Sequence, residues 1–203
     1  MNTVHWLDIE VVEVIKPNLQ NGPWIAGGAA LKWYNNESVG TSDIDVFCRD
    51  KQQADKVTKR FAQAFTTVRN HESDNALTLS VAQTKKPSIF GSTFPTTVDL
   101  KSTWNVQIIT HDFYENMEAV IDRFDITVCQ IATAGDEWIM CDNTAKDIRE
   151  RNLRMILPLR KSSAKRLLKY WSYGYRPVDG LVESMDKEVY FENLFLDFFR
   201  LHK

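Results

Sequence analysis

Two aspartates stand two positions apart in an apolar stretch, where Asp43 and Asp45 alternate with Ile44 and Val46. In a β-strand, residues i and i+2 point to the same face, so the pattern predicts two carboxylates side by side. The two carboxylates repel each other unless a cation lies between them. Hard oxygen ligands favour Mg²⁺ or Mn²⁺, which also bind phosphates. The sequence therefore predicts a divalent-metal site at Asp43 and Asp45.

A glycine pair precedes these aspartates. Gly27 and Gly28 follow the apolar Trp24–Ala26 and lead into an Ala/Leu run, a pattern that predicts a strand, a tight turn and a helix. Glycine lets the backbone approach a ligand closely, and the unpaired N–H groups of a helix start favour anions. We expect a phosphate cradle here. Ser42, just before the aspartates, either touches a phosphate or is a turn residue at the strand entry.

Length, composition and charge limit the classes of protein to which the chain can belong. The chain has 203 residues, 43% hydrophobic and 26% charged, with a net charge of −2; this is typical of a globular protein with one large domain and at most a small appendage. No apolar run of about 18 residues and no leader-like N-terminus is seen, so we expect a cytoplasmic protein without a membrane anchor. The three cysteines lack Cys-x-x-Cys spacing, which argues against a zinc site or a disulfide framework.

Hydrophobic periodicity predicts the elements that position these residues. We expect a mixed α/β sheet with helices on one side. The predicted helices span residues 4–17, 50–65 and 114–123, and the predicted strands span 66–69, 76–81, 97–100, 105–109, 123–132 and 137–142.

The chain concentrates positive charge toward its C-terminal part. Residues 146–177 contain ten basic residues against Asp147 and Glu150. A segment of this kind can bind a triphosphate or a nucleic-acid backbone. The alternative is a solvated helix face whose charges are paired with acidic neighbours.

The order Gly27-Gly28, helix, Ser42-Asp43-Ile44-Asp45 resembles the nucleotidyltransferase superfamily, which includes DNA polymerase beta, poly(A) polymerases, CCA-adding enzymes and aminoglycoside nucleotidyltransferases. The resemblance implies an Mg²⁺- or Mn²⁺-dependent transfer of a nucleoside monophosphate from an NTP to a hydroxyl. It also implies a nucleotidyltransferase palm, with Gly27, Gly28 and Ser42 near the nucleotide.

A second group of motifs is similar to the head and neck of CCA-adding enzymes and bacterial poly(A) polymerases. Residues 123–132 resemble the Arg-Arg-Asp-Phe-Thr-x-Asn-Ala motif, and residues 166–175 resemble the arginine-rich neck helix. The resemblance implies a palm domain at 1–143 and a helical neck with a C-terminal helix at 144–203. The chain departs from the pattern at Lys32, Phe124 and Cys129, and its neck lacks the family's acidic Glu-Asp pair.

Transfer chemistry also requires a third oxygen ligand or a base beside the aspartate pair. The resemblance places Asp125 near the nucleotide and Asp99 near the third carboxylate of polymerase-beta-like proteins, while a site with two carboxylates remains open. Asp125 could instead be a cap or an ion-pair partner of Arg123. We expect Arg123 and Lys169 to contact the triphosphate or base. Nearby aromatic residues either stack on a base or pack the neck: Trp171, Tyr173 and Tyr175.

These patterns lead to one functional hypothesis and its alternatives. The hypothesis is transfer of a nucleoside monophosphate from an NTP to an RNA 3′ end, tRNA-like by the neck resemblance. The acceptor could instead be a small molecule or a protein hydroxyl. The rival hypothesis is a non-catalytic nucleotide-binding module. We expect a monomer or a homodimer, since residues 182–201 are strongly apolar and either cap the core or form a contact between copies.

Overall fold

The computed structural model describes residues 8–82, 103–135, 137–156 and 161–178. Within these ranges the elements follow in chain order: α1 (Ile9–Ile15), β1 (Trp24–Ala26), α2 (Gly28–Tyr34), β2 (Asp43–Phe47), α3 (Lys51–Ala64), β3 (Thr66–Glu72), β4 (Ala76–Ala82), β5 (Thr103–Ile109), α4 (Met117–Ile121), β6 (Ile131–Thr133), β7 (Trp138–Met140), α5 (Thr144–Glu150), β8 (Asn152–Leu153), α6 (Lys161–Ser172) and β9 (Arg176–Pro177).

Seven of the described strands form one sheet in the order β3-β4-β5-β2-β1-β6-β7. The strands β2 and β5 are parallel, and the other neighbouring pairs are antiparallel. The predicted mixed α/β sheet is therefore confirmed. The aspartate-bearing strand β2 lies at the centre of the sheet, where both of its edges are hydrogen-bonded and its position is well defined.

Alternation along the central strands decides which residues face the core. On β2, Ile44 and Val46 are fully buried in a cluster with residues of α1 and α3, so Asp43 and Asp45 face the other way. The helix α3 begins at its predicted cap, where Asp50 accepts a hydrogen bond from the Gln53 backbone N–H at 2.7 Å. Contrary to the expectation of helices on one side only, α4 packs against β1 and β6 on the opposite face.

The segment predicted as a strand over residues 123–132 folds differently. A 3₁₀ turn spans Thr127–Cys129, and only Ile131–Thr133 joins the sheet. The Thr127 side chain donates to the buried Asp147 carboxylate at 2.6 Å, and its backbone N–H donates to the Arg154 carbonyl at 3.0 Å. These bonds to α5 and to the segment after it replace the ladder that a continuous strand would make.

Residues of the predicted neck pack directly on the palm. Leu167, Tyr170 and Tyr175 are buried in one cluster with Leu31 of α2 and Ile126. The division at residue 144 stays a prediction. In the described part of the chain, no helix has the length and apolar character needed to cross a membrane. Asp99 with its predicted strand, and the apolar segment 182–201, lie outside the described residues.

Candidate active site

The two aspartates of β2 lie next to an amide on the neighbouring strand. In the parallel pairing, Asp45 is opposite Gln107 of β5. The Gln107 Nε2 donates to Asp43 Oδ2 at 3.1 Å. Asp43 is exposed and Asp45 is partly buried. The predicted adjacency of the two carboxylates follows from the alternation of β2, and Gln107 supplies a third polar oxygen beside them.

The electrostatics of this pair favour a bound cation. Burial, and then the Asp43 carboxylate, raise the pKa of Asp45 from 3.8 to about 7, against the opposing effect of Lys169. A carboxyl group with such a pKa is about half protonated at neutral pH, and positive charge beside it favours the ionised form. Lys169 supplies part of that charge.

The glycine pair adopts the predicted turn between β1 and α2. Gly27 has a φ of +74°, and a Cβ added to it would lie 2.7 Å from the Phe124 ring, so only glycine fits there. A Cβ at Gly28 would lie 3.3 Å from the Tyr170 hydroxyl oxygen and 4.0 Å from Lys169 Nζ. Gly27 is therefore buried under Phe124, and Gly28 is the glycine that faces the cavity.

A cavity of about 320 Å³ lies between α2 and α6, within the range of small-ligand sites. The two helices line it with matching faces, since each contributes residues at i, i+3, i+4 and i+7. We call it the inter-helix cavity. It is lined by Gly28, Leu31, Lys32 and Asn35 from α2 and its C-cap, by Arg166, Lys169, Tyr170 and Tyr173 from α6 and the turn after it, by Asp43, Asp45 and Gln107 from the sheet, and by Glu37, Ser42, Phe124, Cys129, Arg151 and Tyr175.

The loop that joins α2 to β2 is fixed by a buried carboxylate. Asp8, only 1% exposed, accepts hydrogen bonds from the indole N–H groups of Trp33 at 2.9 Å and Trp104 at 3.0 Å, and from the Val39 backbone N–H at 3.0 Å. Lys32 Nζ donates to the Val39 carbonyl oxygen at 3.0 Å. The entry to the aspartate strand is therefore held from two sides.

Asp125 lies in a buried ion pair. Its oxygens accept from Arg166 Nη2 at 2.6 Å, Arg166 Nε at 3.2 Å and Ser163 Oγ at 2.6 Å. Burial raises the pKa of Asp125, but the hydrogen bonds from Arg166 and Ser163 outweigh it and the net shift is downward. Arg166 lines the inter-helix cavity and Asp125 does not. Asp125 is therefore connected to the cavity only indirectly, through its ion pair with Arg166.

The other predicted ligand contacts fall in different places. Lys169 and Ser42 line the inter-helix cavity, as the prediction of nucleotide contacts requires. Arg123 does not line it, and it pairs with Asp112 at 2.9 Å on an exposed surface. Of the three aromatic residues, Trp171 and Tyr175 are buried in the core while Tyr173 is 44% exposed. The packing alternative thus applies to two of them.

Within the described ranges, no group of three or more His, Cys, Asp or Glu residues is placed to hold a metal ion. The residues that fit a divalent ion are the pair on β2, because two adjacent carboxylates with a raised pKa at Asp45 offer hard oxygen donors with uncompensated charge. The neutral Gln107 amide lies beside this pair, opposite Asp45 in the strand register and hydrogen-bonded to Asp43.

Solved structures with a similar fold include CCA-adding enzymes. The enzyme of Thermotoga maritima, complexed with tRNA, matches with a TM-score of 0.54 and 15% identity over 82% of this chain and 37% of that chain. A CCA-adding enzyme with CTP matches with a TM-score of 0.55, also at 15% identity, over 82% and 38% of the two chains. The predicted nucleotidyltransferase palm is therefore confirmed as a fold.

Sequence comparison identifies a different family from the one suggested by the motifs. The model of the Gabija anti-defense 2 family matches residues 3–151. The chain belongs to that family. A curated relative, Gabija anti-defense 2 of Bacillus phage SPbetaL7, is 27% identical over 124 residues. These cover 61% of this chain and 24% of the relative, so the chain matches about a quarter of the phage protein.

Several cavity residues of this Gabija anti-defense 2 family member were not predicted from the sequence. Gln107 was missed because strand order and register decide which residue stands beside Asp45. Asn35 and Glu37 were missed because they belong to a loop without a motif. Arg166 was noted only as part of the neck resemblance, since its pairing with Asp125 joins positions 41 residues apart.

Proposed function

We propose that this Gabija anti-defense 2 family member is a metal-dependent nucleotidyltransferase that moves a nucleoside monophosphate from an NTP to an acceptor hydroxyl. The observation that carries the proposal is that one cavity brings together Asp43, Asp45, Gly28 and Lys169. Two adjacent carboxylates with a cationic side chain beside them suit an ion-bound polyphosphate. The nucleotidyltransferase fold of the solved neighbours supports the same chemistry.

Four residues that line the cavity have a role in this reaction: Asp43, Asp45, Lys169 and Gly28. The acceptor hydroxyl gives up its proton to water, its oxygen bonds to the α-phosphorus, the bond from that phosphorus to the bridging oxygen breaks, and pyrophosphate leaves. Asp43 and Asp45 would hold Mg²⁺ or Mn²⁺, which when bound neutralises charge and polarises the phosphate. Lys169 binds phosphate oxygens next to Gly28. Because Asp45 is about half protonated at neutral pH in the metal-free protein, ion binding and proton release are linked there.

The acceptor and the biological role extend the proposal. The family name describes action against a defence called Gabija, and we infer that nucleotide transfer serves that action. A tRNA-like RNA 3′ end is the preferred candidate acceptor, because a solved structure with a similar fold is complexed with tRNA. A small molecule or a protein hydroxyl is the second. NTP and such acceptors would place the protein in the cytoplasm.

The test uses each of the four α-³²P-labelled NTPs with Mg²⁺ or Mn²⁺, total tRNA, cell protein and small-molecule extract. We expect label to enter one acceptor class with the wild-type chain. Asp43→Asn and Asp45→Asn should lower the rate at least about 100-fold, because a lost metal ligand removes transition-state charge stabilisation. Asp55→Asn, an exposed residue paired with Lys51 on α3, is the matched control. Label that stays in NTP with every acceptor overturns the proposal.

One observation favours the non-catalytic alternative. Phe124 covers Gly27, so the glycine turn presents less open backbone than a double glycine allows. A binding module would be stabilised by NTP without a divalent ion, and Asp43→Asn would leave that stabilisation unchanged. A transferase site requires the ion and loses the stabilisation in Asp43→Asn. Thermal melting with NTP, with and without Mg²⁺, separates the two.

A further inference from the structure

One aromatic ring in the inter-helix cavity has no place in the core. Tyr173 is 44% exposed, whereas its neighbours Trp171 and Tyr175 are 8% and 1% exposed. Tyr173 lies directly after α6 and lines the inter-helix cavity. Its ring meets Tyr170 edge-on at 6.0 Å and has Lys32 Nζ 5.8 Å from its centroid. An exposed ring in the wall of a ligand-sized cavity is suited to stacking.

Contacts between α2 and the α6 segment show where Tyr173 lies along the cavity. Gly28 faces Tyr170, Lys32 faces Tyr173, and Asn35 donates to the Tyr175 hydroxyl at 3.4 Å. The cavity therefore runs along α2 from the aspartates toward Asn35. At 1.5 Å per residue, Lys32 lies roughly 6 Å along the axis from Gly28. A ribose can bridge that separation between an α-phosphate at the aspartates and a base at Tyr173.

The charges at the Asn35 end of the cavity, away from the aspartates, also favour binding of a base over binding of a triphosphate. Glu37 lines the cavity there and repels phosphates. Lys32, a cation near Tyr173, already donates to the Val39 carbonyl, and Arg151 lies over the Tyr175 ring with its Cζ 5.0 Å from the centroid. Lys169 and Gly28, the groups proposed to bind phosphate, lie at the opposite end: Lys169 acts on the charge of Asp45 and its Nζ lies 4.0 Å from a Cβ placed on Gly28.

We propose that Tyr173 is the stacking platform for the base of the bound NTP, with the triphosphate directed toward Asp43, Asp45 and Lys169. This inference rests on the proposed function of the same cavity. A π-face is common to every base, so stacking on Tyr173 contributes to the binding of all four NTPs and does not select among them. Selection among bases would then belong to polar groups such as Asn35 and Glu37.

The test is equilibrium binding of the four α,β-methylene NTPs and of inorganic triphosphate, with Mg²⁺, by titration calorimetry. Tyr173→Ala should lower the binding affinity for every NTP analogue by roughly 5- to 100-fold, the range for a lost stacking contact. Tyr173→Phe keeps the ring and should restore binding to within about twofold of the wild type. Inorganic triphosphate has no base, so its affinity should not change in either variant.

The controls separate this inference from the proposed function. Phe113→Ala removes a ring that is 41% exposed and does not line the inter-helix cavity, so it should not affect binding. If the wild type and Tyr173→Ala bind NTP with equal affinity, or if affinity is lost for only one base, the stacking role of Tyr173 is contradicted. Neither result contradicts the proposed transferase function. A parallel loss of affinity for inorganic triphosphate also contradicts the stacking role, because Tyr173 would then lie at the phosphate end. If no NTP binds the wild type, the proposed function itself fails.

Discussion

Asp45 is a carboxyl group of the candidate site whose charge state changes near neutral pH. Its pKa is raised from 3.8 to about 7 by burial and by Asp43. The folded protein therefore binds this proton more tightly than the unfolded chain does. The stabilisation is fully present below pH 3.8 and is lost as the pH rises through about 7, where the ionised carboxylate destabilises the metal-free fold.

This linkage predicts the behaviour of Asp45→Asn without metal. The variant should match the wild type near pH 4 and become more stable above it, with the full difference reached by about pH 7. Since each pKa unit corresponds to about 1.4 kcal/mol, the shift from 3.8 to about 7 predicts an advantage of about 4 kcal/mol at pH 8, or roughly 8–16 °C in Tm. Thermal melting in EDTA across pH 4–8 measures it. A variant that is less stable than the wild type at pH 8 would contradict the assigned cause. Mg²⁺ should stabilise only the wild type.

Single residues also show how far sequence analysis reaches. Asp43 and Asp45 were predicted to share a face because a strand repeats every two residues, a local property. Gly28 was predicted near the nucleotide from the turn that glycine permits. Gln107 and Phe124 could not be assigned in the same way, because their positions beside Asp43 and Gly27 depend on how distant segments pair.

At the scale of elements, the ion pair between Asp125 and Arg166 attaches α6 to the segment before the 3₁₀ turn. Ser163 and Arg166 both donate to Asp125, and Lys169 follows Arg166 by one helical turn. The pair therefore sets the rotation of α6 that points Arg166 and Lys169 into the inter-helix cavity. The hypothesis that Asp125 is a third metal ligand stays a prediction, with both carboxylate oxygens engaged in hydrogen bonds.

Asp125→Asn tests this attachment. Loss of the charge opposite Arg166 should cost about 1–3 kcal/mol at pH 7, less than for a fully buried pair because the Arg166 side chain is 41% exposed. Asp112→Asn breaks the exposed pair with Arg123 and should cost less than about 1 kcal/mol. Urea unfolding of both variants provides the comparison. Equal losses would show that the Asp125 pair has no special role in fixing α6.

The pH dependence of the same pair has the opposite sign to that of Asp45. The net pKa of Asp125 is lowered, so its stabilisation is present above pH 3.8 and disappears only as the pH falls through the still lower folded value. The gap in stability between the wild type and Asp125→Asn should therefore be constant from pH 5 to 8 and close below pH 4. Urea midpoints across this range measure the gap, and one that closes near pH 7 would assign the effect to a different group.

Elements with strong local patterns were predicted best. The helix α3 has a regular apolar face and the Asp50 cap, and β5 alternates buried and half-buried residues throughout. The turn at Thr127–Cys129 was predicted as strand because its residues are apolar or β-branched. The buried bonds of Thr127 to Asp147 and Arg154 override that local preference.

At the scale of the whole molecule, residues on the two sides of the predicted boundary between palm and neck share one buried cluster. Leu31, Ile126 and Ile131, before the boundary, pack with Leu167 and Tyr175, after it. A cluster of this composition couples the stability of the two segments, so we expect one cooperative unfolding transition with coincident fluorescence and circular-dichroism curves. Two separated transitions would show that the predicted boundary at residue 144 divides independent domains.

Leu167→Ala tests the same coupling. Leu167 is fully buried between α6 and the palm, so truncation should cost about 2–5 kcal/mol. The adjacent Leu168 is only partly buried, and Leu168→Ala should cost clearly less. Urea unfolding followed by circular dichroism measures both. Equal costs would mean that α6 is not packed on the palm as described.

The position of the cavity residues along the chain determines when the inter-helix cavity can form during synthesis. Its first wall is translated early and its second late, since 126 positions separate Asp43 from Lys169. At roughly 5–20 residues per second, a ribosome takes on the order of 6–25 s between them. A nascent chain therefore carries its aspartates for that interval without the helix that completes the cavity. The complete cavity would therefore form only once α6 has left the ribosome and docked.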